Sequence, residues 1–384
     1  MTGPSDCLCR RIETVAVGQR VFLSTRVNHT LRMLRSTLDD LGVQVSGRGP
    51  GLLEASTENA AVLVSAVRDH LTAVEAQEVH VLVLGSGDSD RGDGLLAAAF
   101  TSPTLAQFSA RGVHADLVPL FADELNAFRS VYQPVVSLRP GDDDAVIGYE
   151  ALLRATGPSG PVFPDELFPA AAEAGWLHVL DRIGRTCAIR GAAGWLGDKL
   201  LFVNFVPTTI YRPEVCLATT VQAAAQAGLR LDQLVFEVTE GEQVSDINHL
   251  TDVFRYYRNR GAMVAIDDLG AGYSSLNMLV RLQPDVVKLD KDIVQALPGT
   301  VSTAVIAAVV NLTHSYGGRV VAECIETAEQ ADAARELGVD LGQGWFFGRP
   351  QEREPIRTPE MPGTETIPVS EGIHLDSPAA PPPA

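Results

Sequence analysis

Apolar and polar positions along this chain fall into short apolar runs separated by stretches of helical spacing, and the rhythm changes near residue 122. Before that point, Val21-Phe22-Leu23-Ser24 reads as a strand. Asn28 to Leu41 places Leu31, Leu34, Leu38 and Leu41 one helical turn apart, and Gly42 ends the segment. Val43 to Val45 predicts another strand, Ala60 to Leu71 a second amphipathic helix, and Val79 to Leu84 a buried strand. Together they predict a small α/β domain over residues 10–121. Residues 122–131 predict a connecting helix.

Beyond residue 131 the apolar runs are Val135-Val136, Ala145 to Leu152, Leu200 to Phe205, Leu234 to Val238, Met263 to Ile266, Val286 to Leu289, Val320 to Ala322 and Leu341 to Phe347. Helical patterns lie between them, at Asp165 to Ala174, Val221 to Ala227, Ile247 to Arg258, Thr303 to Tyr316 and Ala328 to Leu337. Strands alternating with helices in this way predict a (β/α)8 barrel over residues 132–352, a doubly wound open sheet being the alternative. The first two strand candidates lack a helix between them, so the barrel departs from the all-parallel form. From residue 353 the composition turns to Pro, Ser, Thr and acids, which cannot bury a core and predicts a disordered tail over 353–384.

Composition then narrows the function. The chain has 384 residues, 46% apolar and 20% charged, as expected of a globular protein. A net charge of −18 argues against binding nucleic-acid backbones, and an anionic substrate requires metal ions or local arginines at its site. The N-terminus has no signal-peptide pattern, and the most apolar stretch, Val301 to Val310, is too short to span a bilayer. The five cysteines are sparse and odd in number, which predicts reduced thiols and a cytoplasmic protein without membrane insertion. Cys7 and Cys9 lack the second pair that a zinc site needs. The loop Gly85-Ser86-Gly87-Asp88-Ser89-Asp90 has neither the Gly-Lys-Ser/Thr ending of a phosphate loop nor the acid spacing of a calcium loop, so it reads as a polar turn.

Chemistry gathers at the strand ends. They deliver Glu150, Asn204, Glu237 with Glu240, Asp267-Asp268, Lys288 with Asp290, Glu323 with Glu326, and Gln343. In a barrel these all open onto the catalytic face. The donors are oxygens, with no His or Cys set among them, which selects hard cations, magnesium or manganese, over zinc. The adjacent acids Asp267 and Asp268 repel each other without cations, and Asp267 is placed to bridge two ions. Such a pair of ions suits in-line cleavage of a phosphoester.

These residues carry a resemblance. Gln133-Pro134-Val135-Val136, Glu150-Ala151-Leu152-Leu153-Arg154, Val321-Ala322-Glu323, Gly342-Gln343-Gly344 and Phe347-Gly348-Arg349-Pro350, with the motifs above, resemble the EAL-domain phosphodiesterases of bacterial cyclic di-GMP signalling over residues 132–350. The resemblance implies a barrel whose first strand is antiparallel, and hydrolysis of cyclic di-GMP to linear pGpG by a water activated between two metal ions. It implies a first ion on Glu150, Asn204, Glu237 and Asp267, and a second on Asp267, Asp268 and Glu323. Lys288 would stand beside the attacking water, with Gln343 helping to position it. Arg154 and Gln133 would contact substrate, Glu240 would anchor the loop after Asp268, and Glu326 and Asp290 would orient ligands. It further implies a homodimer through the barrel.

The sequence departs from the family at Cys324, where glycine is usual, and at Leu269 and Ala271, which replace the commoner Phe and Thr. A side chain at Cys324 would crowd the site or expose a thiol. Every ligand position is present, which favours an enzyme regulated by its N-terminal domain over a silent cyclic di-GMP receptor acting through a partner. Trp176, Trp195 and Trp345 read as core or rim packing, His178, His249 and His314 as surface or satisfied residues, and Cys187 and Cys216 as small apolar fillers.

Overall fold

The computed structural model describes residues 20–84, 92–142, 144–239, 247–270 and 275–353. Cys7, Cys9, the loop from Gly85, Glu240 and the predicted tail from residue 354 onward lie outside the described residues.

The N-terminal part is an antiparallel sheet with helices. Its strands are β1 (Arg20–Ser24), β2 (Val45–Gly49), β3 (Leu52–Ser56) and β4 (His80–Leu84), in the order β2-β3-β1-β4. Val21, Leu23, Leu53, Ala55 and Val81 pack with Leu34 and Leu38 of the Asn28–Asp40 helix and Leu63, Val64 and Val67 of the Ala60–Asp69 helix. Asn59 starts the second helix by accepting from Ala61 N at 3.1 Å and Val62 N at 3.3 Å. The strand predicted at 43–45 lies at Val45–Gly49 instead, hairpinned to β3. The turn demands Gly51: its φ is +72°, and a Cβ there would stand 2.3 Å from Thr25 O.

The connector also differs from the sequence reading. Helix is confined to short turns, Val118–Ala122 and Glu124–Ala127, and by Phe128 the chain is already in β5 (Phe128–Ser137). Phe128 pairs with Ala155 and Ser130 with Leu153, so a partner distant in sequence sets the extended state. The approach to β5 is buried against the barrel: Leu117, Leu120, Phe121 and Phe128 share one apolar cluster with Leu167, Trp176, Leu180 and Ile183. Phe121 meets Trp176 edge-on, with ring centroids 5.6 Å apart. Buried Arg111 donates from Nε to Ala174 O at 3.0 Å, and His114 Nε2 lies 2.9 Å from Glu173 Oε2.

The second sheet closes on itself. After β5 come β6 (Val146–Gly157), a hairpin strand β7 (Gly160–Val162), β8 (Leu200–Asn204), β9 (Leu234–Thr239), β10 (Met263–Leu269), β11 (Val286–Leu289), β12 (Arg319–Ala322) and β13 (Leu341–Gln343). β5 is antiparallel to both β6 and β13 and closes a ring of eight strands, and the other ring neighbours are parallel. This is a (β/α)8 barrel with an antiparallel first strand. Its floor is a layer of Val135, Phe202, Val235, Ala265, Val286, Val321 and Leu341. β6 contributes Gly148 at this level, because a Cβ there would lie 2.8 Å from Leu200 O and from Leu200 Cβ.

The tryptophans divide. Trp176 is buried, Trp195 packs edge-on between Tyr132 and Tyr149, and Trp345 is 54% exposed beneath the Arg349 guanidinium. His314 is paired with Asp340 at 2.8 Å, and His249 lies 3.3 Å from Pro207 O.

Candidate metal centre

Side chains alternate along a strand, so the position two residues beyond each floor residue also points inward. From the floor layer this gives Glu150, Asn204, Glu237, Asp267, Lys288, Glu323 and Gln343, and Gln133 on the antiparallel β5. Period-two geometry therefore turns eight strands into one ring of polar groups above an apolar plug. Register sets Asn204 beside Glu237 and Gln133 beside Glu150, while the stagger of the barrel sets Glu237 beside Ala265 and Lys288 beside Val321.

Lys288 occupies the centre and is fully buried. Its Nζ lies 2.7 Å from Glu323 Oε1, 3.2 Å from Asp267 Oδ1, 3.3 Å from Glu237 Oε2 and 3.4 Å from Glu150 Oε2. Burial disfavours the ammonium, but the four carboxylates outweigh it and hold its pKa well above the ordinary value. Glu237 and Glu323 are pushed well above the usual carboxylate range, mainly by burial, with Asp267 the next contributor at Glu323. Burial also raises Glu150, but Lys288, Gln343 and Asn204 bring it below its usual value. Asp268 is pushed up to about 6 by burial and by Asp267.

The carboxylates form two groups that share one member. Donor atoms of Glu150, Glu237 and Asp267 lie within 4.8 Å of one another, as do those of Asp267, Asp268 and Glu323. Glu237 Oε1 is buried with no hydrogen-bond partner among the described residues. Five carboxylates around one ammonium leave four formal negative charges, which two divalent cations would balance. An all-oxygen donor set with an orphaned buried carboxylate oxygen fits hard divalent cations.

Amides brace this ring. Asn204 Nδ2 donates to Glu150 Oε1 at 3.0 Å, and Gln343 Nε2 donates to Glu150 Oε2 at 2.6 Å and to Gln133 Oε1 at 3.2 Å. Gln133 in turn donates to Gly348 O at 3.1 Å. Asp268 and Cys324 both sit in the left-handed region, at φ +54° each. Glycine in that position would carry no side-chain penalty, so Cys324 is the costlier choice.

Other predicted residues stand further out. Arg154 lines a cavity of about 240 Å3 beside Asn204, Phe168 and Thr239, and its Nη1 donates to Leu153 O at 2.7 Å. Glu326 lies on a second cavity of about 270 Å3 with Glu150, Glu323, Gln343 and Trp345, and its Oε1 accepts from Gln295 at 3.2 Å. Asp290 caps the Lys291–Gln295 helix, its Oδ1 accepting from Asp292 N at 2.8 Å.

One supporting group escaped the sequence reading. Asp181, buried on the Leu177–Gly191 helix, accepts from Val206 N at 2.8 Å, Thr209 Oγ1 at 2.9 Å and Arg185 Nη2 at 2.8 Å. It pins the chain just after Asn204. Its signal was an Asp–Arg pair four residues apart, a spacing that more often marks an exposed helix face.

The sequence profile of the EAL domain matches residues 120–350. The chain is 28% identical over 252 residues to the Escherichia coli K12 protein named cyclic di-GMP phosphodiesterase PdeF, covering 61% of this chain and 32% of that one. It spans about a third of the length of the curated relatives it matches. A standalone EAL protein of Vibrio cholerae O395, solved in its c-di-GMP-bound form, superposes with a TM-score of 0.52 at 30% identity, over 59% of this chain and 94% of that one. The Klebsiella pneumoniae protein BlrP1, in a manganese and cyclic-diGMP complex, is 22% identical with a TM-score of 0.52, over 88% of this chain and 97% of that one. That last likeness is one of fold, and it reaches into the N-terminal sheet. No helix among the described residues is long and apolar enough to cross a membrane.

Proposed function

The chain belongs to the EAL domain family, and from that premise we propose that it hydrolyses cyclic di-GMP to linear pGpG with two magnesium or manganese ions. The observation that carries this reading is the shared-carboxylate arrangement, with Asp267 common to both donor groups. Glu150, Asn204, Glu237 and Asp267 would hold one ion, and Asp267, Asp268 and Glu323 the other. When bound, such ions lower the pKa of a water and neutralise phosphate charge.

The protein's own groups then have defined tasks. Glu150 is fixed by Asn204 and Gln343, so its carboxylate is held in one orientation. Lys288 stays charged at any working pH because four carboxylates surround it, and it stabilises negative charge on the phosphoryl oxygens as they develop it. Arg154 offers a planar fork to a substrate phosphate from the cavity rim. Without cations the acid ring would repel a dianionic substrate, so binding and turnover should both depend on metal. A homodimer through the barrel, and control by the N-terminal part, belong to the same proposal.

Product analysis after incubation with cyclic di-GMP and magnesium tests it. We expect pGpG from the wild-type chain and none from Glu150→Ala, with the variant still folded by circular dichroism. A receptor that only binds would retain cyclic di-GMP and release no pGpG, and normal turnover by Glu150→Ala would dismiss the ligand assignment.

A further inference from the structure

On the barrel's outer wall, the Leu177–Gly191 helix lies against the Ala218–Gln226 helix, and a groove of about 320 Å3 runs between them. Arg182, Thr186 and Arg190 face it from the first helix, each one turn beyond the last. Thr219, Gln222 and Gln226 face it from the second. One end is closed by Glu124, from the turn that leads into β5, which is ion-paired with the largely buried Arg182. Eight residues of helix put Arg190 roughly 12 Å further along the axis. Arg190 is exposed and makes no ion pair among the described residues.

The lining defines what fits. A cationic wall is unusual on a chain of net charge −18, and among the described residues Glu124 is the lone acid in the groove. Arg190 therefore offers an unspent fork for an anionic group, the geometry that suits phosphate. The amides and hydroxyl of Gln222, Gln226 and Thr219, with the Glu124 carboxylate at the far end, supply both donors and acceptors for alcohol groups. Among the described residues no aromatic ring and no broad apolar wall faces the groove, so a nucleobase would find nothing there to stack on. The volume exceeds what bare phosphate fills and falls within the range of small-molecule sites.

We propose that this groove binds a phosphorylated polyol of sugar-phosphate size, its phosphate on Arg190 and its hydroxyls toward Gln222, Gln226 and Glu124. The site is independent of the metal centre. The same helix turns Asp181, Gly184 and Ala188 to the opposite side, onto the cavity that holds Arg154 and Asn204, so an occupant would sit one helix away from the candidate substrate site.

Calorimetric titration of the full chain with glucose 6-phosphate, in EDTA so that no metal recruits phosphate to the acid ring, tests the assignment. We expect saturable binding, at least tenfold weaker in Arg190→Gln and partly restored in Arg190→Lys. Inorganic phosphate should bind at least tenfold more weakly than glucose 6-phosphate, and glucose should not bind. Absence of saturable binding, or equal affinity in wild type and Arg190→Gln, would overturn the site. Equal affinity for inorganic phosphate and glucose 6-phosphate would overturn the polyol assignment.

Discussion

Replacing Lys288 with methionine separates charge balance from packing at the barrel centre. Lys288 is fully buried, and its ammonium is the cation nearest to Glu150, Glu237, Asp267 and Glu323, at 2.7–3.4 Å. Methionine keeps most of the volume and removes the charge. Leaving buried charges without their partner costs about 3–5 kcal/mol. Divalent cations would restore the missing charge, so the deficit should be large in EDTA and shrink with saturating magnesium. Because Lys288 competes for the same oxygens, Lys288→Met should also bind magnesium more tightly than wild type. Turnover should nevertheless fall by roughly a hundredfold or more, as for a lost charge-stabilising group. Urea denaturation with and without magnesium, calorimetry and a pGpG assay read these quantities. An equal loss of stability in both conditions, or weaker metal binding by the variant, would show that Lys288 does not act as the internal counter-charge.

Three further outcomes follow from other parts of the fold. Burial raises the Asp340 carboxyl, but hydrogen bonds from His314, Val320 N and Arg139 outweigh it and hold its pKa below the usual value. A depressed carboxylate stabilises the fold above its unfolded pKa and loses that contribution as pH falls through its folded one. Asp340→Asn should therefore cost about 1.5–3 kcal/mol at pH 7, a gap that closes below about pH 4 in denaturation curves. At Cys324, φ +54° suits glycine, so Cys324→Gly should leave stability within about 0.5 kcal/mol, the relief offsetting glycine's entropy, while the β-branched Cys324→Val loses about 1–2 kcal/mol. A chain starting at Ala122 should aggregate or melt early, since it strips Leu117, Leu120 and Phe121 from Trp176, at about 1.5–3 kcal/mol each, whereas one starting at Ala115 keeps them. Equal melting of the two truncations would count against that shared core.

The barrel was legible because its strands are apolar runs of the right length, and the ring of site residues because each stands at a strand end. What the sequence does not display is pairing at a distance. Residues 122–131 carry a pattern compatible with helix, yet β6 draws Phe128 and Ser130 into an extended ladder. β3 was hidden because Gly47, Gly49 and Gly51 mask the hairpin that Leu52–Ser56 completes. Lys288 was read as facing the chemistry, but no spacing rule places its ammonium within reach of four carboxylates at once. The buried Asp181–Arg185 pair was likewise indistinguishable from an exposed helical ion pair until Val206 and Thr209 folded over it.

These long-range contacts bear on how the N-terminal part could influence the metal centre. Of the glycine-bearing loop after Asp268, residues 271–274 lie outside the described residues. The described contacts run elsewhere. Arg111 holds Ala174 O, and Phe121 abuts Trp176, so the N-terminal part grips the Pro164–Glu173 and Leu177–Gly191 helices. The second of these carries Asp181, whose carboxylate holds Val206 N, two residues from Asn204. Allosteric coupling is typically worth about 1–3 kcal/mol, less than the roughly 3–5 kcal/mol needed to break a buried ion pair. A displacement of the N-terminal part at that energy would therefore shift the Asp181–Arg185 network as a unit rather than rupture it. Asn204 and, through its 3.0 Å hydrogen bond, Glu150 would move with it. On this route the signal would reach the candidate metal centre through Asn204 on β8 and Glu150 on β6, two and three strands round the ring from β10, which carries Asp267 and Asp268.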